Sequence, residues 1–181
     1  MSTHFPRGRT NLGRTYHVRS EVNRKAEELK PEKVKELLLI VIEEAKTRKH
    51  YQFKLWNFCI LDNHFHFLIT PIKGQSLSTI MKWIKQVFAI RWNKEHNTTG
   101  HFWGDRFWSR VIEDEREFWN VYNYIDRNPV AAGLVEKPEE WRYSGAYHRE
   151  HQIDRIVSQV TAWLLYFVRT GEGYRSDLFL S

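Results

Sequence analysis

The feature that most constrains the fold of this chain is a repeated change of hydrophobic period along its first 128 residues. Apolar side chains recur at helical spacing over residues 31–49 and again over residues 76–94, so each segment predicts an amphipathic helix. Four segments around these helices are rich in β-branched, aromatic and apolar residues, which is typical of strands: residues 15–22, 53–61, 64–69 and 106–113. The chain therefore alternates between the two kinds of element.

The order strand, helix, strand, strand, helix, strand predicts an α+β fold of the ferredoxin-like kind. In such a fold we expect an antiparallel sheet with the helices packed on one face. Asp62 and Asn63 are typical turn residues, so the second and third strands should form a hairpin. A third helix is predicted over residues 115–128, ending before Pro129 because a proline disfavours helical geometry in the preceding residue.

The length of 181 residues indicates one compact domain, since chains usually divide only beyond roughly 250 residues. Hydrophobic residues make up 41% of the chain, which excludes a largely disordered protein. We assign residues 1–150 to this domain and residues 151–181 to a C-terminal extension of unassigned role. Apolar spacing over residues 153–168 predicts a helical tail in that extension.

Charge and the absence of targeting signals indicate the kind of partner and the cellular location to expect. The net charge of +6 favours an anionic partner, and nucleic acid is the first candidate. The longest apolar run, residues 37–42, is far too short to cross a bilayer, and the N-terminus lacks a signal-peptide core. Cys59 is the single cysteine, so an internal disulfide is excluded. We expect a cytoplasmic protein.

A pair of histidines stands on the third predicted strand. Side chains alternate along a strand, so His64 and His66 should point to one face while Phe65 and Phe67 point to the other. Neutral imidazoles are common ligands of divalent transition metals, and this pair could form half of a metal site. Two hydrogen-bonded histidines on the polar face of an edge strand would have the same pattern, and the residues alone leave both interpretations open.

A tyrosine and an asparagine share one face of the third predicted helix. Tyr124 and Asn128 are four residues apart, so their side chains are neighbours. The phenol could act as a nucleophile if a nearby cation activated it, and the amide oxygen could complete a metal shell. A half-buried core aromatic followed by a helix-ending asparagine would fit the same spacing.

Taken together, these segments resemble a known family, the HUH single-tyrosine transposases, and within it the branch of REP-associated tyrosine transposases. The motifs that carry the resemblance are Phe5-Pro6, Tyr16-His17-Val18, residues 61–69 (LDNHFHFLI), 102–112 (FWGDRFWSRVI), 124–135 (YIDRNPVAAGLV) and 141–144 (WRYS). One departure is Asp62, which stands where many relatives have proline.

The resemblance implies a metal-dependent endonuclease and strand transferase that acts on single-stranded DNA hairpins, such as repetitive extragenic palindromes. It implies that His64, His66 and Asn128 hold Mg²⁺ or Mn²⁺ and that Tyr124 is the nucleophile, forming a 5′-phosphotyrosine. It further implies a bacterial protein that is bound to the nucleoid DNA and acts as a monomer or homodimer. The alternative is a domesticated protein that binds hairpins without cutting them.

Basic and aromatic residues supply candidate contacts to DNA. We expect phosphate or base contacts from three groups: Arg7, Arg9 and Arg14 in the lead-in, which resembles a family segment near the hairpin foot; Lys82 and Lys85 on the second helix; and Arg106, Trp108, Arg110 and Arg127 further on. Any single lysine in this set could instead belong to a solvated helix face. The aromatic residues could instead belong to the core.

Overall fold

The computed structural model describes residues 14–48, 51–72 and 74–160. In chain order its helices and strands are β1 (Tyr16–Glu21), α1 (Glu32–Thr47), β2 (Phe53–Ile60), β3 (His64–Pro71), α2 (Leu77–Glu95), β4 (Trp108–Val111), α3 (Glu115–Ala131) and α4 (Gly145–Glu150). In these described residues, no helix is both long and apolar enough to span a membrane.

The four strands form one antiparallel sheet in the order β2-β3-β1-β4. This arrangement confirms the predicted α+β fold of ferredoxin-like kind. The predicted hairpin is also present, because the Leu61 N–H donates to the His64 carbonyl across the Asp62-Asn63 turn at 2.8 Å. Strand β1 lies between β3 and β4, which brings its side chains beside those of the histidine strand.

Helices cover both faces of the sheet, so the expectation that they pack on one face is correct for α1 and α2 but wrong for α3. Phe65 and Phe67 of β3 point into the core beneath α1 and α2. Leu68 points to the other face, where it packs against Phe118 and Ile125 of α3. The physical reason is that β2 and β3 are buried almost throughout on both faces, so a second layer must cover them.

Helix α3 continues through Pro129 to Ala131, so the predicted end at residue 128 is wrong. Proline removes one N–H donor, but here it lies in the last turn, where little helix remains to be disrupted. The end is instead set by Gly133, whose φ of +70° allows the Leu134 N–H to donate to the Pro129 carbonyl at 2.9 Å. Asn128 therefore stays helical, one turn after Tyr124.

Residues 153–160 form no helix, so the predicted helical tail is wrong for this part. The segment instead lies along the edge strand β2, where the Ser158 N–H donates to the Leu55 carbonyl at 2.7 Å. Ile156 and Val157 are buried in the core on the α1 side. Apolar side chains that could have lined a helix are thus used to close the sheet edge. Residues 161–168 lie outside the described residues.

A buried ion pair holds the turn that precedes the histidine strand. The Lys35 side chain is 2% exposed, and its Nζ donates to Asp62 Oδ1 and to the Lys30 carbonyl, both at 2.7 Å. The rings of Trp141 and Tyr143 lie 5.3 and 5.5 Å from the same Nζ. Asp62, which replaces the proline of many relatives, therefore has a specific charged partner.

Replacing Asp62 with alanine should lower the free energy of unfolding by about 3 kcal/mol, because it leaves the buried Lys35 ammonium without its counter-ion. Urea denaturation followed by circular dichroism measures this loss. The matched control is Glu27→Ala, which breaks the exposed Lys30–Glu27 pair and should cost less than about 1 kcal/mol. Equal, small losses in both variants would contradict the role given to Lys35 and Asp62.

Candidate active site

The sheet face covered by α3 carries a cluster of polar side chains. Residues directly opposite each other on paired strands share a face, and Arg19 and Glu21 of β1 lie opposite His66 and His64 of β3. The rings of His64 and His66 lie on that common face with centroids 5.0 Å apart. His17, two residues before Arg19 on β1, belongs to the same cluster, with its ring centroid 5.2 Å from that of His66.

Hydrogen bonds orient both histidines of β3. His64 Nδ1 lies 2.6 Å from the amide oxygen of Asn63, which can only accept, so Nδ1 carries the proton and Nε2 keeps its lone pair. His66 Nδ1 lies 3.0 Å from His17 Nε2. His66 Nε2 is buried and has no hydrogen-bond partner among the described residues. A buried nitrogen of this kind is costly unless it binds something.

The cluster keeps its imidazoles neutral. Burial, with a smaller contribution from the nearby Arg19 charge, lowers the pKa of His64 and of His17 to about 4 and that of His66 to about 2. Neutral imidazole is the form that binds metal ions. At neutral pH these histidines therefore have no proton to lose before binding a cation.

Helix α3 presents Tyr124 to this cluster. The Tyr124 ring centroid lies 5.5 Å from that of His66 and 5.8 Å from that of His17, both edge to face. Tyr124 is 52% exposed, so its side chain is open to solvent. Asn128, one turn further along α3, donates its Nδ2 to the Tyr124 carbonyl at 2.7 Å, which leaves its amide oxygen available.

The donor set at this face suits a divalent cation. In the part of the chain that the structure describes, no group of three or more histidine, cysteine, aspartate or glutamate residues could hold a metal ion. The two imidazoles would therefore need an oxygen ligand of another type, and Asn128, one turn after Tyr124 on α3, carries an amide oxygen of that kind. With the unpartnered His66 Nε2, these residues fit such an ion.

Comparison with known proteins agrees with this architecture. Residues 12–128 match the family model described as "Transposase IS200 like". The chain belongs to this family. The matched region runs from the lead-in to Asn128, so it contains the histidine strand and the tyrosine helix but ends before α4.

Two curated relatives are REP-associated tyrosine transposases. A Haemophilus influenzae protein classed with the REP-associated tyrosine transposases is 30% identical over an alignment of 115 residues that covers 58% of this chain and 65% of that protein. The REP-associated tyrosine transposase of Escherichia coli K12 is 25% identical over an alignment of 121 residues that covers 64% of this chain and 66% of that protein. The chain therefore spans just under two thirds of the length of these curated relatives.

A solved structure shares the fold. It is that of a REP-associated tyrosine transposase bound to a REP hairpin, with a TM-score of 0.67 and 22% sequence identity. The similarity covers 88% of this chain and 93% of the other. The chain therefore shares its fold with that protein.

Outside the matched region, α4 holds the tyrosine helix in place. Asn57 of β2 is fully buried and donates its Nδ2 to the Tyr122 carbonyl at 3.0 Å and to Asp126 Oδ1 at 2.8 Å. Arg149 of α4 donates to both carboxylate oxygens of Asp126 at 2.6 and 2.7 Å. Because Asp126 lies between Tyr124 and Asn128 in sequence, this network fixes the turn of α3 that carries both.

The Trp-Arg-Tyr-Ser motif explains how α4 reaches this network. The Trp141 indole N–H donates to the Ile60 carbonyl at 2.9 Å, and Ser144 caps α4 by accepting from the Tyr147 N–H at 3.2 Å. Gly145 must be a glycine, since a Cβ there would lie 2.1 Å from Asn57 Oδ1. Sequence reasoning missed the roles of Asn57, Asp126 and Arg149, although Asp126 lies within the motif at residues 124–135.

The predicted DNA contacts fall in different places. Trp108 is 51% exposed and its ring lies 5.3 Å from His17, so it borders the histidine cluster. Arg110 lies opposite His17 on the sheet and pairs with Glu117 at 2.8 Å. Arg14 and Arg127 are exposed, and Arg106 lines the cleft that Trp108 borders.

The remaining candidates lie away from the cluster. Lys82 and Lys85 are on α2, which packs on the opposite face of the sheet, so the structure does not bring them to the histidines. Lys85 donates to the Asp105 carbonyl at 3.0 Å, and burial lowers its pKa to about 8. Phe5-Pro6, Arg7 and Arg9 lie outside the described residues.

Proposed function

We propose that this transposase cleaves single-stranded DNA beside a hairpin and transfers the cleaved strand, using Tyr124 as nucleophile. The observation that carries the proposal is the exposed phenol of Tyr124 beside the buried, unpartnered Nε2 of His66. A metal-binding imidazole and an accessible hydroxyl this close together serve one reaction, attack on a phosphodiester.

In the cleavage step, the phenolic oxygen of Tyr124 forms a bond to phosphorus. The bond between phosphorus and the 3′ oxygen of the preceding nucleotide breaks, giving a free 3′-OH and a 5′-phosphotyrosine. The phenol loses its proton to solvent and the departing oxygen gains one, so the step needs no oxidant or ATP. The ester keeps the bond energy, so a second 3′-OH can reverse the step and join a new strand.

A divalent ion, Mg²⁺ or Mn²⁺, is the proposed cofactor, with His64, His66 and the amide oxygen of Asn128 as its ligands. When bound, it would withdraw charge from a non-bridging phosphate oxygen. The protein's part is to orient these ligands. Asn63 and His17 each occupy the Nδ1 side of one imidazole, which directs both Nε2 atoms toward the common face.

The proposed substrate is DNA of the repetitive extragenic palindrome class, folded as a hairpin with a single-stranded flank. The structurally similar transposase is bound to a REP hairpin. In this chain, the net charge of +6 favours a phosphate backbone, and exposed Trp108 offers a surface on which an unpaired base can stack. Trp108 lies close enough to His17 for that base to be next to the scissile phosphate.

The test is a gel assay for a covalent protein–DNA adduct. Single-stranded hairpins from the DNA flanking the gene are incubated with the protein and Mn²⁺, Mg²⁺ or EDTA. We expect an adduct that resists denaturation with either metal and none with EDTA. Salt-sensitive hairpin binding without an adduct would instead show a protein that binds and does not cut. If the protein neither binds the hairpin nor forms an adduct, the proposal is contradicted.

A further inference from the structure

Arg19 occupies a central position on the active face, yet the reaction as described above does not use it. In the middle of β1, it lies directly opposite His66 on one side and Trp108 on the other. Its side chain therefore points to the same face as the histidines. That side chain is 42% exposed, whereas His66 is 1% exposed. The guanidinium can thus reach a bound DNA strand above the imidazole.

An acidic neighbour holds Arg19 in this position. Arg19 Nη2 lies 2.5 Å from Glu21 Oε1, and Glu21 lies opposite His64. These residues border a cleft of about 600 Å³, which is also lined by Trp108 and the loop around Trp103. Because Glu21 lies opposite His64, the ion pair keeps the guanidinium on the histidine face of the sheet. A salt bridge this exposed contributes little to stability, so the pair is not explained by folding.

Glu21 balances the charge of Arg19 alone, so a divalent ion on the histidines would leave this face with an excess of positive charge. The Arg19 charge acts on all three imidazoles, where it adds to burial in lowering their pKa. The same charge repels any cation that binds those imidazoles. A phosphodiester between the Arg19 guanidinium and the bound cation would replace this repulsion with two attractive contacts, because each positive group could bind one non-bridging oxygen.

We propose that Arg19 is a further catalytic residue, whose guanidinium binds a non-bridging oxygen of the scissile phosphate. This inference rests on the function proposed above. In the cleavage step it stabilises the negative charge that develops around phosphorus while the phenolic oxygen attacks and the 3′ oxygen leaves. Glu21 positions the guanidinium. Arginine suits this role because its planar fork matches phosphate oxygens.

Arg19→Gln tests the proposal through two measurements, of which only the first should decrease. The single-turnover rate of adduct formation with Mn²⁺ should fall about 100-fold, the loss typical of removing one donor to a developing oxyanion. Mn²⁺ affinity without DNA, followed by electron paramagnetic resonance, should stay equal or increase, because a repelling charge is gone. Arg19→Lys should restore part of the rate.

The control Arg142→Gln removes an exposed arginine that pairs with Glu36, and it should change neither the rate of adduct formation nor the Mn²⁺ affinity.

Two results would overturn the inference. A rate for Arg19→Gln within about threefold of the wild type would mean that Arg19 does not contact the scissile phosphate. A loss of Mn²⁺ affinity in that variant would mean that Arg19 supports the histidines instead. If the wild type forms no adduct with any metal, the proposed function fails and the inference with it. If the wild type forms the adduct and Arg19→Gln forms it at the same rate, only the role of Arg19 is contradicted and the proposed function stands.

Discussion

Tyr124→Phe should abolish the covalent adduct with hairpin DNA while leaving hairpin binding unchanged. The substitution removes only the phenolic oxygen, so the ring keeps its edge-to-face contacts with His17 and His66. Since no other atom of that side chain can attack phosphorus, adduct formation should fall by at least about 1,000-fold. The measurement is the denaturing gel assay, with affinity for the same hairpin measured in parallel by fluorescence anisotropy.

Tyr122→Phe is the matched control for this prediction. Tyr122 lies on the same helix but is 8% exposed and packs into the core between α3 and the sheet. Its ring stacks under the Arg149 guanidinium, 4.7 Å from the ring centroid, away from the histidines. We expect this variant to form the adduct normally. An adduct that survives in Tyr124→Phe and disappears in Tyr122→Phe would move the nucleophile to Tyr122.

His66→Ala should lose both Mn²⁺ binding and adduct formation. Removing a residue that only orients a metal ligand typically costs 10–100-fold in affinity, so loss of a ligand itself should exceed about 100-fold. Isothermal titration with Mn²⁺ and the gel assay measure the two losses. Circular dichroism checks that the fold survives, because His66 is 1% exposed and its truncation leaves a cavity.

His64→Ala provides the second variant, since this side chain is only partly buried and its loss disturbs packing less. It should show the same two losses as His66→Ala. The control is His96→Ala, which changes an exposed histidine at the end of α2 and should change neither quantity. Undiminished metal-dependent cleavage in both His64→Ala and His66→Ala would contradict the metal assignment.

Local patterns in the sequence were sufficient for much of the fold. Alternation along a strand places His64 and His66 on one face, and the helical repeat places Asn128 one turn after Tyr124. Strand and helix order then limited the sheet to an arrangement that the structure confirms. These predictions succeed because side-chain direction within one element depends only on its own backbone geometry.

Contacts between distant segments could not be predicted in this way. Asp62 looked like a turn residue in place of a proline, yet it is paired with buried Lys35. Residues 153–160 have helical spacing but lie along β2, because burial against a sheet edge outweighs weak local propensity. Pro129 similarly indicated that the helix ends at residue 128, whereas it continues to Ala131 and the turn at Gly133 ends it.

The sequence by itself thus determined the kinds of element, their order and the two local pairs, His64 with His66 and Tyr124 with Asn128. Only the tertiary structure decided that α3 crosses the second face of the sheet and brings Tyr124 to His66. It also decided that His17 and Arg19 join them, since strand register is a property of paired strands. The physical reason is that periodicity sets a side chain's direction within its element, whereas long-range packing sets what that side chain meets.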